Sequence, residues 1–156
     1  MTEPRRIQEP LEELNEWHRV LIVDDDPQAL TAIRRVLQKE PYEVVTTGRP
    51  VPALQWLERK PTSLVISDQR MADMSGDQFL EEVWKSSPRT ERLLLTAFPE
   101  SLEGVPESRR SLFRVLTKPW NDADLKRTIR DMLLDREAAD EEDLRENGPQ
   151  SGRGMP

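Results

Sequence analysis

Residues 20–27 read VLIVDDDP: an apolar run, three consecutive aspartates and a proline. Four Val, Leu and Ile residues in a row suit a strand buried on both faces, and a proline directly after the acids suits the first turn of a helix. The stretch therefore predicts a β-strand, Val20–Val23, feeding a helix from Pro27. The same rhythm recurs four more times, with strands expected at Val44–Thr46, Leu64–Ser67, Arg92–Leu95 and Arg114–Thr117. Between them, apolar residues fall at helical spacing: Leu30, Ile33, Val36 and Leu37; Leu54 and Leu57; Phe79, Leu80 and Val83; Leu125, Ile129, Met132 and Leu133. Asn121 followed by Asp124 looks like the start of the last helix. Alternating strands and helices imply an α/β fold, a doubly wound (βα)5 arrangement on a parallel sheet. The fourth helix is the weak member. Glu100–Phe113 contains Gly104 and Pro106 and lacks apolar periodicity, so a short, broken or mobile helix is expected there.

The flanks differ from this middle. The 156-residue chain has a formal charge of -7, but residues 20–134 hold 18 acids and 17 bases, whereas 135–156 hold 7 and 3. The expected organisation is an N-terminal extension over 1–17, a domain over 18–135 and an acidic tail over 136–156 whose end is disordered. Ala138, Ala139 and Leu144 would permit the last helix to run on to about Arg145. Leu11, Leu14 and Trp17 have the spacing of a short amphipathic turn before the sheet, with a loose leader as the alternative. Trp56 and Trp84 fall within helical patterns and are expected to be packed. His18 is given no role beyond the loop before the first strand.

Composition excludes several chemistries. With no cysteine and one histidine, disulfides, thiol catalysis and Cys- or His-based zinc clusters are ruled out, so any metal must be held by oxygen. A net negative chain is poorly suited to direct DNA binding or to anionic membranes. No apolar run is long enough to span a bilayer and the first ten residues do not resemble a signal peptide, so a cytoplasmic protein is expected.

The informative residues are those that end the apolar runs: Asp24, Asp25 and Asp26 after the first strand, Asp68 after the third, Thr96 after the fourth, Lys118 after the fifth. Singly, each has a plainer reading. An acidic triplet before proline is often a helix cap, and an aspartate after a strand is often a turn residue. Ligands of open parallel sheets, however, bind at the carboxyl ends of the strands, where these residues would converge. Carboxylates, a hydroxyl and an ammonium on one rim suit Mg²⁺ and a phosphoryl group, and a carboxylate can itself be the nucleophile.

Four motifs, VLIVDDDP, LVISDQRMADMSG, LLLTA and RVLTKPW, resemble those of the response-regulator receiver domain, the CheY-like family, over about residues 18–135. The resemblance implies a flavodoxin-like three-layer sandwich with strand order 2-1-3-4-5. It implies Asp68 as phosphoacceptor from the phosphohistidine of a histidine kinase, with Asp24, Asp25, Asp68 and the backbone carbonyl of Arg70 around Mg²⁺. It also implies Lys118 and Thr96 as catalytic partners, Asp26 being an extra acid that caps the first helix. The chain would then catalyse only its own phosphorylation and dephosphorylation and signal to a downstream effector protein by contact.

The switch positions correspond to Thr96, Ala97 and Val115. Val115 is a departure, because the family has an aromatic there, so coupling is expected through the Thr96–Pro99 loop and Glu100–Phe113. Ala72 replaces a usual proline, and Arg70 and Phe98 occupy positions that in the family modulate dephosphorylation. The DQRM–MSG wording and the KPW ending look like receivers that precede phosphodiesterase or transcriptional output domains. Fewer than 25 residues follow the last helix, so a single-domain receiver is expected. A homodimer through the fourth-helix, fifth-strand and fifth-helix face is common in the family, but Gly104 and Pro106 disturb that face. Two other readings use the same residues: a receiver-fold scaffold that works without phosphate, and a Mg²⁺-dependent phosphatase of small substrates.

Overall fold

The computed structural model describes residues 13–147. Five parallel strands, β1 (Arg19–Val23), β2 (Glu43–Thr47), β3 (Leu64–Asp68), β4 (Glu91–Thr96) and β5 (Arg114–Thr117), form one sheet in the order 2-1-3-4-5. The helices are α1 (Pro27–Leu37), α2 (Pro50–Arg59), α3 (Gly76–Ser86), α4 (Glu107–Arg110) and α5 (Asp122–Asn147), with a 3-10 turn at Pro99–Leu102.

Alternation along the strands divides the core in two. Val20, Ile22, Leu64, Ile66, Leu93 and Leu95 point to one face and pack with Ile33 and Leu37 of α1 and with Leu125, Ile129 and Leu133 of α5. Leu21, Val23, Val65 and Leu94 point to the other, against Ala53 of α2, Phe79, Leu80 and Val83 of α3, and Leu102. Since successive strand residues face opposite ways, only a strand buried on both faces can be apolar throughout, as Val20–Val23 is.

The helix starts follow from local chemistry. Asp26 caps α1, its carboxylate accepting from the Gln28 N–H at 2.9 Å, and Pro27 follows it. Asn121 caps α5 through the Asp124 N–H at 3.1 Å. The stretch expected to hold a broken helix is the 3-10 turn and the four-residue α4, separated at Gly104 and Pro106.

Four expectations are corrected. α5 continues to Asn147, along the extension that Ala138, Ala139 and Leu144 permit, so 136–147 is helix and not disordered tail, while 148–156 lie outside the described residues. Polar contacts hold this extension. Glu137 is buried and accepts from the Asn15 N–H at 2.5 Å and from His18, and Arg136 donates to the carbonyls of Arg89 and Thr62. Arg89 pairs with Asp140 and Asp143. The leader forms no helical turn at 13–18; Leu14 packs on the core, Trp17 is exposed beneath the Arg19 guanidinium, and Leu11 lies outside the described residues. His18 is no simple loop residue, being buried between Ser63 and Glu137. Trp84 is exposed on α3, whereas Trp56 is half-buried. Among the described residues, no helix is long and apolar enough to cross a membrane.

Candidate functional site

The sheet order reverses between β1 and β3, and the residues that end these strands lie at that crevice. Asp24 follows β1 and is buried. Its Oδ1 accepts from the Asp26 N–H at 2.9 Å, and its Oδ2 lies 3.9 Å from Lys118 Nζ. Asp68 closes β3. Lys118 Nζ donates to its Oδ1 at 2.6 Å and the Arg70 N–H donates to its Oδ2 at 3.2 Å. Lys118 reaches it from the end of β5, just before a cis peptide to Pro119, and its ammonium lies 5.8 Å from the Trp120 ring centroid. Thr96 is buried at the end of β4, and its Oγ1 accepts from the Phe98 N–H at 3.1 Å. Asp68, Arg70, Thr96, Ala97, Phe98 and Lys118 line one cavity of about 200 Å³.

Asp25 is placed differently. It is exposed, and its Oδ2 accepts from the Ala72 N–H at 3.0 Å, which ties the end of β1 to the loop after Asp68. Among the described residues, no three acidic side chains stand close enough to enclose an ion by themselves. The donor set nevertheless fits Mg²⁺, which keeps several waters and takes only one or two carboxylates. Burial pushes the Asp24 carboxyl above the ordinary carboxylate range, and the charges of Asp68 and Asp25 push the same way against the opposing pull of the Asp26 N–H and Lys118. A desolvated carboxylate beside like charges is relieved by a cation.

Val115 lies on β5 opposite Leu94, 39% exposed on a strand at the sheet edge, and it does not line the cavity. The cavity mouth is instead framed by Arg70 and Phe98, the guanidinium lying 4.5 Å from the ring centroid. Sequence reasoning noted both residues but not their stacking. It also missed Gly76, where a Cβ would stand 2.2 Å from the Asp68 carbonyl oxygen. The buried pair Gln69–Asp77, joined at 2.7 and 2.9 Å, escaped it too. A spacing of eight residues across a loop carries no periodic signal.

Comparison with known proteins agrees with this arrangement. The model of the response regulator receiver domain matches residues 20–130. The transcriptional regulatory protein GlrR of Escherichia coli (strain K12) is 36% identical over 127 residues, which is 81% of this chain and 29% of that protein. The hydrogenase transcriptional regulatory protein HoxA of Cupriavidus necator is 33% identical over 71% of this chain and 23% of its own length. The chain thus spans under a third of the length of these curated relatives. Among solved structures, the response regulator TrrA of Thermotoga maritima, in complex with Mg(2+)-BeF, is 27% identical with a TM-score of 0.67, covering 74% of this chain and 98% of that one. The signal receiver domain of an HD domain-containing protein from Pseudomonas fluorescens Pf-5 is 27% identical with a TM-score of 0.75, covering 85% and 98%. The strand order, the acids at the β1–β3 crevice and the match over residues 20–130 lead to one conclusion: the chain belongs to the response regulator receiver domain family of two-component phosphorelay signalling.

Proposed function

We propose that Asp68 accepts a phosphoryl group from the phosphohistidine of a partner histidine kinase in the cytoplasm, and that the modified domain changes its contacts with a downstream effector protein. The observation that carries this reading is the Lys118–Asp68 contact of 2.6 Å in a cavity shared with Thr96, with the buried Asp24 3.9 Å beyond the ammonium. An Asp68 oxygen attacks phosphorus, the P–N bond breaks, and the electron pair leaves with the imidazole, which takes a proton. Asp68 has lone pairs to spare, since each carboxylate oxygen accepts only one of the hydrogen bonds described. Lys118 then neutralises charge on the transferred group, Thr96 Oγ1 donates to one of its oxygens, and the Arg70 N–H keeps the acceptor aligned. Positioning and charge neutralisation are the main catalytic contributions in such transfers.

Asp25, Asp68 and the Arg70 carbonyl would hold Mg²⁺, with Asp24 acting through a bound water, and the ion would supply further neutralisation of the phosphoryl oxygens. The product is an acyl phosphate, which water removes, so the domain catalyses its own modification and its reversal and turns over no other substrate. Thr96 and Ala97 head the loop that leads to the 3-10 turn and α4, the route by which the modification reaches the surface. A phosphate-independent scaffold is the second reading, favoured by the exposed aliphatic Val115 where an aromatic switch residue would stand.

The test is intact mass after treatment with acetyl phosphate and Mg²⁺, for wild type and Asp68→Asn. One added phosphoryl group on wild type and none on the variant is expected. No addition to wild type, or equal addition to both, overturns the reading.

A further inference from the structure

One buried polar chain takes no part in the chemistry above. Gln69 directly follows Asp68, is nearly sealed from solvent, and has every polar group engaged. Its N–H donates to the Leu95 carbonyl at 3.1 Å and its carbonyl accepts from the Gly76 N–H at 2.9 Å. Its side chain forms a two-way bridge to Asp77: Nε2 donates to Oδ1 at 2.7 Å and Oε1 accepts from the Asp77 N–H at 2.9 Å. Asp77 is 4% exposed. Its second oxygen accepts from Arg109 Nη1 of α4 at 3.2 Å, and Arg109 Nε donates to Glu81 Oε2 at 2.5 Å. Burial raises the Asp77 carboxyl, but its hydrogen bonds, with Ser75, Gln69 and Arg109 contributing, outweigh that and hold it below its ordinary value.

A clamp between α3 and α4 would be the plainer account, but two features go beyond it. Gln69 is joined directly to Arg70, whose N–H holds Asp68, so the clamp ends at the acceptor. At the other end α4 is four residues long with no buried side chain, and Arg109 is its polar tie to α3. Val105 and Phe113 pack on the core at either end of this segment, but the helix itself is tied to α3 through Arg109, and a small change at that tie can shift it. The edge-strand position 115 offers no bulky side chain for the task.

We propose that the Gln69–Asp77–Arg109 chain couples the acceptor loop to α4, with Asp77 and Arg109 as positioning residues for the chemistry at Asp68. This rests on Asp68 being the acceptor. Coupling through packed and hydrogen-bonded networks changes rates by about 2- to 30-fold, so Arg109→Ala is expected to slow phosphorylation by acetyl phosphate within that range, with Arg109→Lys partly restoring it. Arg109 is partly exposed, so its loss opens no core cavity. Gln69 and Arg109 share Asp77 but do not touch, and Gln69→Leu with Arg109→Ala should therefore cost less than the product of the two single effects.

Hydrogen exchange of the unmodified protein gives the second readout. Arg109→Ala should speed exchange of the Gln69, Gly76 and Asp77 amides as well as those of α4. Faster exchange confined to 105–112 with an unchanged phosphorylation rate overturns the proposal, as do independent, multiplying effects in the double variant. If Gln69→Leu does not fold, the Arg109 series decides alone. If wild type takes up no phosphate, the proposed function fails, and the exchange pattern still shows whether α4 and the acceptor loop are linked.

Discussion

Replacing Gly76 by alanine tests the close approach that sets the acceptor's position. A Cβ at the start of α3 would lie 2.2 Å from the carbonyl oxygen of Asp68 and 2.6 Å from Leu94 Cδ1. The first overlap is with backbone, so it is relieved only by moving the helix start or the strand end by about 1 Å from a close-packed interior. The 2.9 Å bond from the Gly76 N–H to the Gln69 carbonyl resists that movement. Overpacking costs about 1–3 kcal/mol, and a clash with a central strand belongs at the upper end, about 3 kcal/mol. Alanine's better helix propensity returns at most about 1 kcal/mol. The net loss is about 2 kcal/mol, a fall in Tm of about 4–8 °C for a chain of this size.

Gly104 is the control. Nothing lies within 4 Å of a Cβ there and its φ is not in the left-handed region, so Gly104→Ala is expected to be neutral or to stabilise by about 0.4–1 kcal/mol. Urea unfolding followed by tryptophan fluorescence measures both, with equal m-values required for the comparison. Gly76→Ala should also slow modification of Asp68, since relief of the clash displaces its backbone. A Gly76→Ala protein as stable as wild type, with the same m-value, would refute the packing argument.

Asp24→Asn is expected to stabilise the protein at pH 7. Burial, with Asp68 and Asp25 adding to it, raises this carboxyl in the folded state, so stability falls as pH climbs from the unfolded value of about 3.9 through the raised one. The gain in Tm should shrink below about pH 4; a gain of equal size at both pH values would contradict the charge-crowding account. Glu137→Ala leaves the Asn15 N–H and His18 without their buried acceptor and should cost about 1–3 kcal/mol, with loss of helical circular dichroism beyond residue 136. Leu144→Ala, at a position 67% exposed, should stay within about 0.5 kcal/mol. Millimolar Mg²⁺ should raise the Tm of wild type and do so much less in Asp24→Asn/Asp25→Asn, since a ligand stabilises only the state that binds it.

The sheet was readable because strands covered on both faces must be apolar at every position, and Val20–Val23 and Leu64–Ile66 advertise this directly. The placement of the candidate residues was readable for a related reason: a polar residue that ends such a run stands at the carboxyl edge, as Asp24, Asp68 and Thr96 do, whereas Lys118 follows a mostly exposed edge strand and was marked only by its place after β5. The C-terminal part of α5 was less legible because its contacts are polar. Nothing in Glu137 as a letter says that it will be buried against His18 and Asn15, and an acidic cluster at Asp140–Asp143 reads as solvated until Arg89 is placed beside it. Asp25 shows the same limit. Its neighbour in the sequence turns inward to Lys118, whereas Asp25 turns to the Ala72 N–H, a choice made by the loop after β3 and not by the residue itself.

The central claim is that the phosphoryl group is carried by Asp68 and by no other carboxylate in the crowded rim. Borohydride reduction of the phosphorylated protein converts an aspartyl phosphate to homoserine, and peptide sequencing by mass spectrometry then locates it. Homoserine at position 68 alone is the expected result, lost when Mg²⁺ is withheld. Homoserine at 24, 25 or 26, or an equal yield at 68 and elsewhere, would contradict the account.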